Sequence, residues 1–337
     1  MHHSVVTILL AAAVAMLYAR LAASFIRPGL CRLLALAPVL LLLLKVPFAV
    51  PLYSARGTAA FFLVWLGEFK LLLLASGRGP LDPALPPLPF VFTAALPVKL
   101  LPQSPDGGAH DDAAKTAAAL PLLSSGVKVA VLVAIVHLLH GKSKMHPYAA
   151  FTLYGVFIYC FLDSLLPCLA ATGRALGMEL EPQFDRPYLS ASLRDFWGRR
   201  WNLMASAVLR PAVYAPVRAR VGAAAGVLAT FLVSGLMHEV VTYYITFRAP
   251  TGQLTAFFLL HGASVCAERW CARRCGAAPP PPRAVATPLV LGYVAATAFW
   301  LFFPPLFGNG MDDLFFAEAS ALVSAMADAG GRLLRSG

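Results

Sequence analysis

Long runs of apolar residues fill most of this sequence and constrain the fold more than any other feature. Runs of roughly 20 apolar residues have the length of a helix that crosses a lipid bilayer. Hydrophobic residues make up 59% of the 337 residues and charged residues only 13%, whereas soluble domains carry about 25% charged residues. The sequence therefore excludes a soluble globular enzyme and predicts an all-α, polytopic membrane protein.

Eight segments are apolar and long enough to be candidate membrane spans. A further apolar stretch, 314–327, is short and contains Glu318, which favours an interfacial helix. We therefore predict one integral-membrane domain over residues 1–337, built as a transmembrane helical bundle of about eight spans. The expected spans are 4–19, 33–51, 59–76, 121–140, 148–171, 223–247, 253–270 and 286–307.

The net charge of +11 would suggest nucleic-acid binding in a soluble protein. In a membrane protein, it reflects the Lys and Arg residues that accumulate in cytosolic loops. With eight spans, loops 20–32, 77–120, 172–222 and 271–285 share one side of the membrane and hold 17 Lys and Arg, against 6 on the other side. We therefore place these loops in the cytosol and expect membrane lipid, not nucleic acid, as a partner.

Two of the cytosolic loops are long and differ in composition. Loop 77–120 is rich in Pro, Gly and Ala, and its centre, 102–115, has the composition of a mobile linker. Loop 172–222 is rich in Arg and aromatic residues, and its amphipathic stretch 192–203 is typical of an interfacial helix. Arginine clusters also suit the phosphates of a substrate such as coenzyme A. The side chains expected to bind substrate here are Trp197, Arg199, Arg200 and Trp201.

Ionisable side chains inside spans are candidates for function, because a charge in lipid is costly. Span 223–247 has His238 near its middle, Ser234 one turn earlier on the same face and Glu239 beside it. Such a polar stripe should face protein or a cavity, so Ser234 and Glu239 join the candidate substrate site.

The next span, 253–270, has a polar stripe of its own, made of His261, Ser264 and Glu268. The connection between the two spans is short, so their helices should be antiparallel neighbours. His261 could then face the same chamber as His238 and contact substrate. The simpler interpretation is that both histidines only hydrogen-bond across helices and hold the bundle together.

One set of motifs resembles a known family. The pattern Phe-Trp-x-x-x-Trp-Asn at 196–202, followed by a membrane histidine within 234–239, resembles the membrane-bound O-acyltransferases. Within that superfamily the chain is similar to the plant wax synthases, also called long-chain-alcohol O-fatty-acyltransferases. The stretches 65–73, 79–81 and 96–99 fit the same subfamily. Glu68 departs from it, because this position is associated with a neutral amide.

The resemblance implies that His238 is the catalytic histidine and Asn202 its polar partner. It also implies an enzyme of the endoplasmic reticulum that transfers a fatty acyl group from acyl-CoA to a long-chain alcohol, forming a wax ester, or to a sterol. Acyl-CoA would be a co-substrate, and we expect no metal and no other cofactor. The unperturbed pKa of histidine, about 6.5, suits a general base for the hydroxyl proton.

Two other classes of function remain open at this point. A proton-coupled transporter would use His238, Glu239, His261 and Glu268 as a proton relay, although it leaves the Arg-rich loop without a role. A non-catalytic membrane scaffold would tolerate replacement of both histidines at only a cost in stability.

Overall fold

The computed structural model describes residues 2–101, 127–274, 281–308, 310–318, 320, 321 and 324. Regular structure in this part of the chain is helical, and the predicted all-α class is confirmed. The helices in chain order are α1 (His2–Phe25), α2 (Leu30–Lys45), α3 (Tyr53–Ala75), α4 (Pro87–Ala95), α5 (Val127–Leu139), α6 (Pro147–Ala175), α7 (193–200), α8 (203–221), α9 (Ala223–Thr246), α10 (Gln253–Arg274), α11 (Arg283–Phe307) and α12 (311–318).

Six of the described helices are long and apolar enough to cross a membrane: α1, α2 with the 3-10 turn that extends it to Ala49, α3, α6, α9 and α11. Helix α5 is shorter, and residues 121–126 of the expected span lie outside the described residues. Helix α10 has 22 residues, but charged side chains such as Glu268, Arg269 and Arg273 make its second half polar. The expected total of eight spans therefore stays a prediction.

The outer faces of α1 and α2 expose large apolar side chains, among them Leu9, Leu10, Leu34 and Leu41. Soluble monomers rarely expose apolar patches of this kind. In a bilayer the same side chains lie in hydrocarbon, as expected for helices that face lipid.

Charged side chains of one helix cap the ends of others. Lys70 of α3 is fully buried and donates to the carbonyls of Thr93 and Leu96 at the end of α4, at 2.6 Å each. Arg32 of α2 donates to three carbonyls at the ends of α1 and α3. These carbonyls lie at or just beyond helix C-termini, where a cation is favourable.

The C-terminal part of the described chain is joined to α3 in the same way. Glu318 of α12 accepts hydrogen bonds from the backbone N–H groups of Tyr53 and Ser54, where α3 begins. The predicted interfacial helix at 314–327 starts earlier, at residue 311, and residues 319, 322, 323 and 325–327 lie outside the described residues.

The two long loops expected in the cytosol contact each other. Leu100 and Leu180 form an isolated antiparallel bridge, and Lys99 pairs with Glu181 at 2.7 Å. The expected mobile centre of the first loop, 102–115, lies outside the described residues. The second loop forms α7 and α8, which confirms that this loop contains helices.

Helices α9 and α10 pack closely, and the expected antiparallel pair is confirmed. A Cβ atom on Gly235 would lie 2.7 Å from the Thr255 Cα, and one on Gly262 would lie 2.9 Å from the Phe231 Cβ. Small residues allow helices in a membrane to approach this closely. The pair places His238 and His261 in adjacent helices.

Candidate active site

Two of the helices that contact His238, α3 and α11, are locally π-helical. The described residues contain four π-helical segments, which are Ala60–Gly67 in α3, Phe196–Arg200 in α7, Arg210–Tyr214 in α8 and Ala298–Phe302 in α11. Such segments inside helices are frequent at functional sites. The segments in α3 and α11 contribute Trp65 and Phe302, which both contact His238 and support this region as the candidate active site.

Aromatic rings surround His238. Its ring centroid lies 4.3 Å from that of Phe258, 4.6 Å from that of Trp65 and 5.8 Å from that of Phe302. The three rings come from α10, α3 and α11, and His238 itself is half-buried. The imidazole therefore lies in an apolar enclosure built from four helices.

The backbone fixes the tautomer of His238. Its Nδ1 lies 2.7 Å from the carbonyl oxygen of Ser234, one turn earlier in α9. A carbonyl oxygen can only accept a hydrogen bond, so Nδ1 carries the proton and Nε2 carries a lone pair. No hydrogen bond to Nε2 is formed by the described residues. A neutral imidazole in this state can accept a proton from a substrate.

Asn202 forms the N-cap of α8. Its Oδ1 accepts from the backbone N–H of Ala205 at 3.1 Å, and its φ of 45° is a left-handed conformation that Asn tolerates. Because the oxygen makes the cap, the two N–H groups of the amide stay available to a ligand. No described hydrogen bond links Asn202 to His238. Met204 and Val208, which follow it in α8, share a buried cluster with Trp65.

His261 is fully buried, and both of its ring nitrogens are hydrogen-bonded. Its Nδ1 accepts from the indole N–H of Trp197 at 3.0 Å, and its Nε2 lies 2.9 Å from the hydroxyl of Thr297. An indole can only donate, so the proton of this imidazole is on Nε2. His261 and Trp197, both expected to bind substrate, thus bind each other and join α7, α10 and α11.

The rest of the α10 stripe also holds neighbouring elements. Glu268 accepts hydrogen bonds from the backbone N–H groups of Leu193 and Arg194, at 2.9 and 3.1 Å, where α7 begins. Ser264 lies 2.7 Å from the hydroxyl oxygen of Tyr293 in α11. The stripe therefore positions the Arg-rich segment against the bundle.

Glu239 is buried and caps α10. Its Oε1 accepts from the backbone N–H groups of Leu254 and Thr255, at 3.0 and 3.2 Å. Together with His238, His261 and Glu268, it completes the set that a proton relay would use. In the described part of the chain, no hydrogen bond connects any two of these four residues.

The residues of α7 and its end that are expected to bind coenzyme A differ in how many contacts they make within the protein. Arg200 donates to the carboxylate of Asp195 at 2.8 Å and to the carbonyl of Asp185 at 3.0 Å. Trp201 packs against Phe196, with ring centroids 5.5 Å apart. Arg199 is exposed and forms no ion pair within the described residues.

Three residues around His238 were not singled out for this role from the sequence: Trp65, Phe258 and Phe302. Aromatic residues within apolar runs are common, so they gave no signal by type or spacing. Trp65 lies in the stretch 65–73 that resembles the wax synthases, but the resemblance did not assign it a function.

Comparison with known proteins adds independent findings. Residues 180–260, which include Asn202 and His238, match the sequence model of the membrane bound O-acyl transferase family. The chain is 36% identical over 320 residues to the probable long-chain-alcohol O-fatty-acyltransferase 1 of Arabidopsis thaliana, covering 92% of this chain and 93% of that protein.

Two further relatives have different acceptors in their names. The long-chain-alcohol O-fatty-acyltransferase of Simmondsia chinensis is 37% identical over 301 residues, which is 84% of each chain. The acyl-CoA–sterol O-acyltransferase 1 of Arabidopsis thaliana is 36% identical over 305 residues, covering 86% of this chain and 87% of that protein. The chain is thus about equally similar to a relative named for a long-chain alcohol and to one named for a sterol.

The contacts of Glu268 predict that its loss releases α7. In Glu268→Ala, two charge-assisted hydrogen bonds are lost, each contributing about 1.5–3 kcal/mol. Trypsin should then cleave the detergent-solubilised protein after Arg194 or Arg199 at least about tenfold faster, since cleavage needs local opening. Ser264→Ala is the control, because the described hydrogen bonds of Ser264 go to Tyr293 in α11 and to Leu260 within α10, and not to α7. Equal cleavage rates in wild type and Glu268→Ala would refute the positioning role.

Proposed function

The chain belongs to the membrane-bound O-acyltransferase family, with the plant long-chain-alcohol O-fatty-acyltransferases, and we propose that it esterifies a long-chain alcohol with a fatty acyl group from acyl-CoA. The observation that carries the proposal is the tautomer of His238, whose Nδ1–H donates to the Ser234 carbonyl. This bond leaves Nε2 as a base inside an apolar enclosure. The proposal includes the endoplasmic reticulum as location and needs neither a metal nor a cofactor besides acyl-CoA as co-substrate.

The proposed reaction is a direct transfer between two bound substrates. Nε2 of His238 takes the hydroxyl proton as the alcohol oxygen attacks the thioester carbon and forms the new C–O bond. The electron pair of the carbonyl moves onto its oxygen and then returns, which breaks the C–S bond. The leaving thiolate takes the proton back from Nε2, so the products are the ester, free coenzyme A and a neutral histidine.

The aromatic enclosure supports transfer to an alcohol over transfer to water. Trp65, Phe258 and Phe302 cover the imidazole with apolar surface. Exclusion of water from such a site suppresses hydrolysis of a reactive acyl group. An acyl chain and a long-chain alcohol, in contrast, both favour an apolar environment.

Asn202 supports the proposal as a donor. Its amide nitrogen is not used by the cap of α8. A hydrogen bond from this nitrogen to the acyl carbonyl would hold the thioester in register or stabilise the negative charge that develops on its oxygen.

Two arginines of α7 have different surroundings: Arg200 is held by other parts of the protein, and Arg199 is a candidate for binding coenzyme A. Arg200 is held by Asp195 and by backbone carbonyls. Arg199 is exposed, and its planar guanidinium suits a phosphate. We therefore assign phosphate binding to Arg199 and a structural role to Arg200.

Loss of the base should abolish ester formation. In His238→Asn, the side-chain amide can still donate to the Ser234 carbonyl, but no lone pair replaces Nε2. We expect the rate to fall by roughly 10²–10⁴-fold, with little change in thermal stability. Microsomes from a host that lacks neutral lipids would receive labelled acyl-CoA with either a long-chain alcohol or a sterol, at matched protein levels.

The controls separate the base from the acceptor. His137→Asn changes an exposed histidine of α5 and should leave the rate unchanged. If wild type forms sterol ester but no wax ester, the assignment of His238 as the base stands and the acceptor is a sterol. Full activity in His238→Asn would refute the assignment of His238.

The variant Asn202→Asp tests the helix-capping role of Asn202 separately from its role as a hydrogen-bond donor. Aspartate caps helices as well as asparagine does but has no N–H groups. If the amide donates to the substrate, Asn202→Asp should lower kcat by about 10²–10³-fold at unchanged thermal stability, whereas Asn202→Ala should lose both. A stable, fully active Asn202→Asp enzyme would limit Asn202 to capping α8.

Arg199→Gln should raise the KM for acyl-CoA by roughly tenfold, because a charge-assisted hydrogen bond to phosphate is lost. The kcat should stay near that of wild type, and the effect should shrink at high salt, which screens exposed charges. Arg200→Gln should instead lower the melting temperature. Initial rates against acyl-CoA concentration at two ionic strengths test this, and an unchanged KM in Arg199→Gln would contradict the assignment.

A further inference from the structure

Trp65 carries a buried donor that the reaction, as proposed above, does not use. The side chain is 1% exposed, and its indole Nε1 has no hydrogen-bond partner among the described residues. Buried donors are rarely left unpaired in native proteins, so each such group calls for an explanation. A ligand that binds beside the indole would provide the missing acceptor.

The position of Trp65 indicates which ligand this is. Its ring contacts His238 edge to face, at a centroid distance of 4.6 Å and an angle of 71°. The same ring also packs edge to face against Phe61, at 4.9 Å. Trp65 is therefore one of the rings in direct contact with the proposed base.

The other buried unpaired polar side-chain atoms of the described residues do not share this position. They belong to Arg56, Glu68, Ser164 and Thr255, and no ring contact or hydrogen bond to His238 is described for any of these residues. Glu68 follows Trp65 on α3, but a carboxylate would repel an oxygen that becomes negative. Trp197 has a comparable indole, which already donates to His261. Trp65 thus combines a free donor with contact to the proposed base.

We propose that Trp65 is a catalytic residue whose indole N–H donates a hydrogen bond to the carbonyl oxygen of the acyl thioester. This inference rests on the proposed function. An indole can only donate, and the carbonyl oxygen is the atom that gains negative charge during attack. The alcohol oxygen must keep its lone pair for the attack and gives its proton to His238.

The hydrogen bond stabilises the transition state without covalent change at Trp65. As the alcohol oxygen attacks, the carbonyl electron pair moves onto the oxygen that accepts the hydrogen bond from the indole N–H. The N–H bond stays intact, and the pair returns when the C–S bond breaks. A donor held by packing needs no reorganisation, and loss of one such donor costs about 10²–10³ in kcat.

The test removes the N–H group and keeps the ring. Trp65→Phe is the simple variant, and replacement of Trp65 by 3-benzothienylalanine through amber suppression keeps the size and shape of the indole. Both should lower kcat by about 10²-fold or more, with KM values for acyl-CoA and alcohol within about threefold of wild type. Trp270→Phe changes an exposed tryptophan outside the site and serves as the control.

Infrared spectroscopy gives a readout that does not depend on turnover. Acyl-CoA labelled with ¹³C at the carbonyl would be bound to His238→Asn and to His238→Asn combined with Trp65→Phe. A hydrogen bond to the carbonyl lowers its stretching frequency, so the band should move to higher frequency when the indole is absent. This shift would identify the donor directly.

The outcomes separate this inference from the proposed function. If wild type forms ester and the benzothienyl variant keeps a kcat within about threefold, Trp65 is not a donor while the acyltransferase proposal stands. An unmoved carbonyl band would overturn the Trp65 assignment in the same way. If wild type forms no ester but the carbonyl band shifts, the proposed acceptor or base fails and the contact of Trp65 with the thioester is upheld.

Discussion

Helix ends that pack against other helices are poorly hydrated, so their free N–H and carbonyl groups must find partners within the protein. This bundle meets the requirement with charged side chains from neighbouring helices. Glutamates 239, 268 and 318 accept from the N-terminal N–H groups of α10, α7 and α3. Lys70 and Arg32 donate to carbonyls at the C-terminal ends of α4, α1 and α3. The sign of each charge complements the helix dipole that it caps.

The candidate active site depends on this network. Glu268 binds the first residues of α7, and His261 binds Trp197 within it. Asn202 follows α7 directly in the chain. The bonds that fix His261 use both of its nitrogens, whereas Nε2 of His238 has no hydrogen-bond partner in the described part of the chain. Most of the polar groups in α9 and α10 are therefore scaffold, and one imidazole is left for proton transfer.

Rigid packing around that imidazole suits acyl transfer in an apolar site. Catalysis of this kind depends on groups that are already oriented toward the charge that develops. The backbone of α9 orients the proposed base, the cap of α8 orients the Asn202 amide, and aromatic contacts hold Trp65. In the proposed reaction, only the two substrates would have to move into place.

The sequence by itself determined the all-α membrane class, because the length and apolarity of a segment suffice to make it a spanning helix. It also determined the family, through motifs that include Asn202 and His238. Only the tertiary structure decided what the other polar residues do. A glutamate or histidine in a span has the same sequence signature whether it binds substrate or caps a helix. The partners of Glu268 and His261 lie 75 and 64 residues away along the chain, and packing alone brings them into contact.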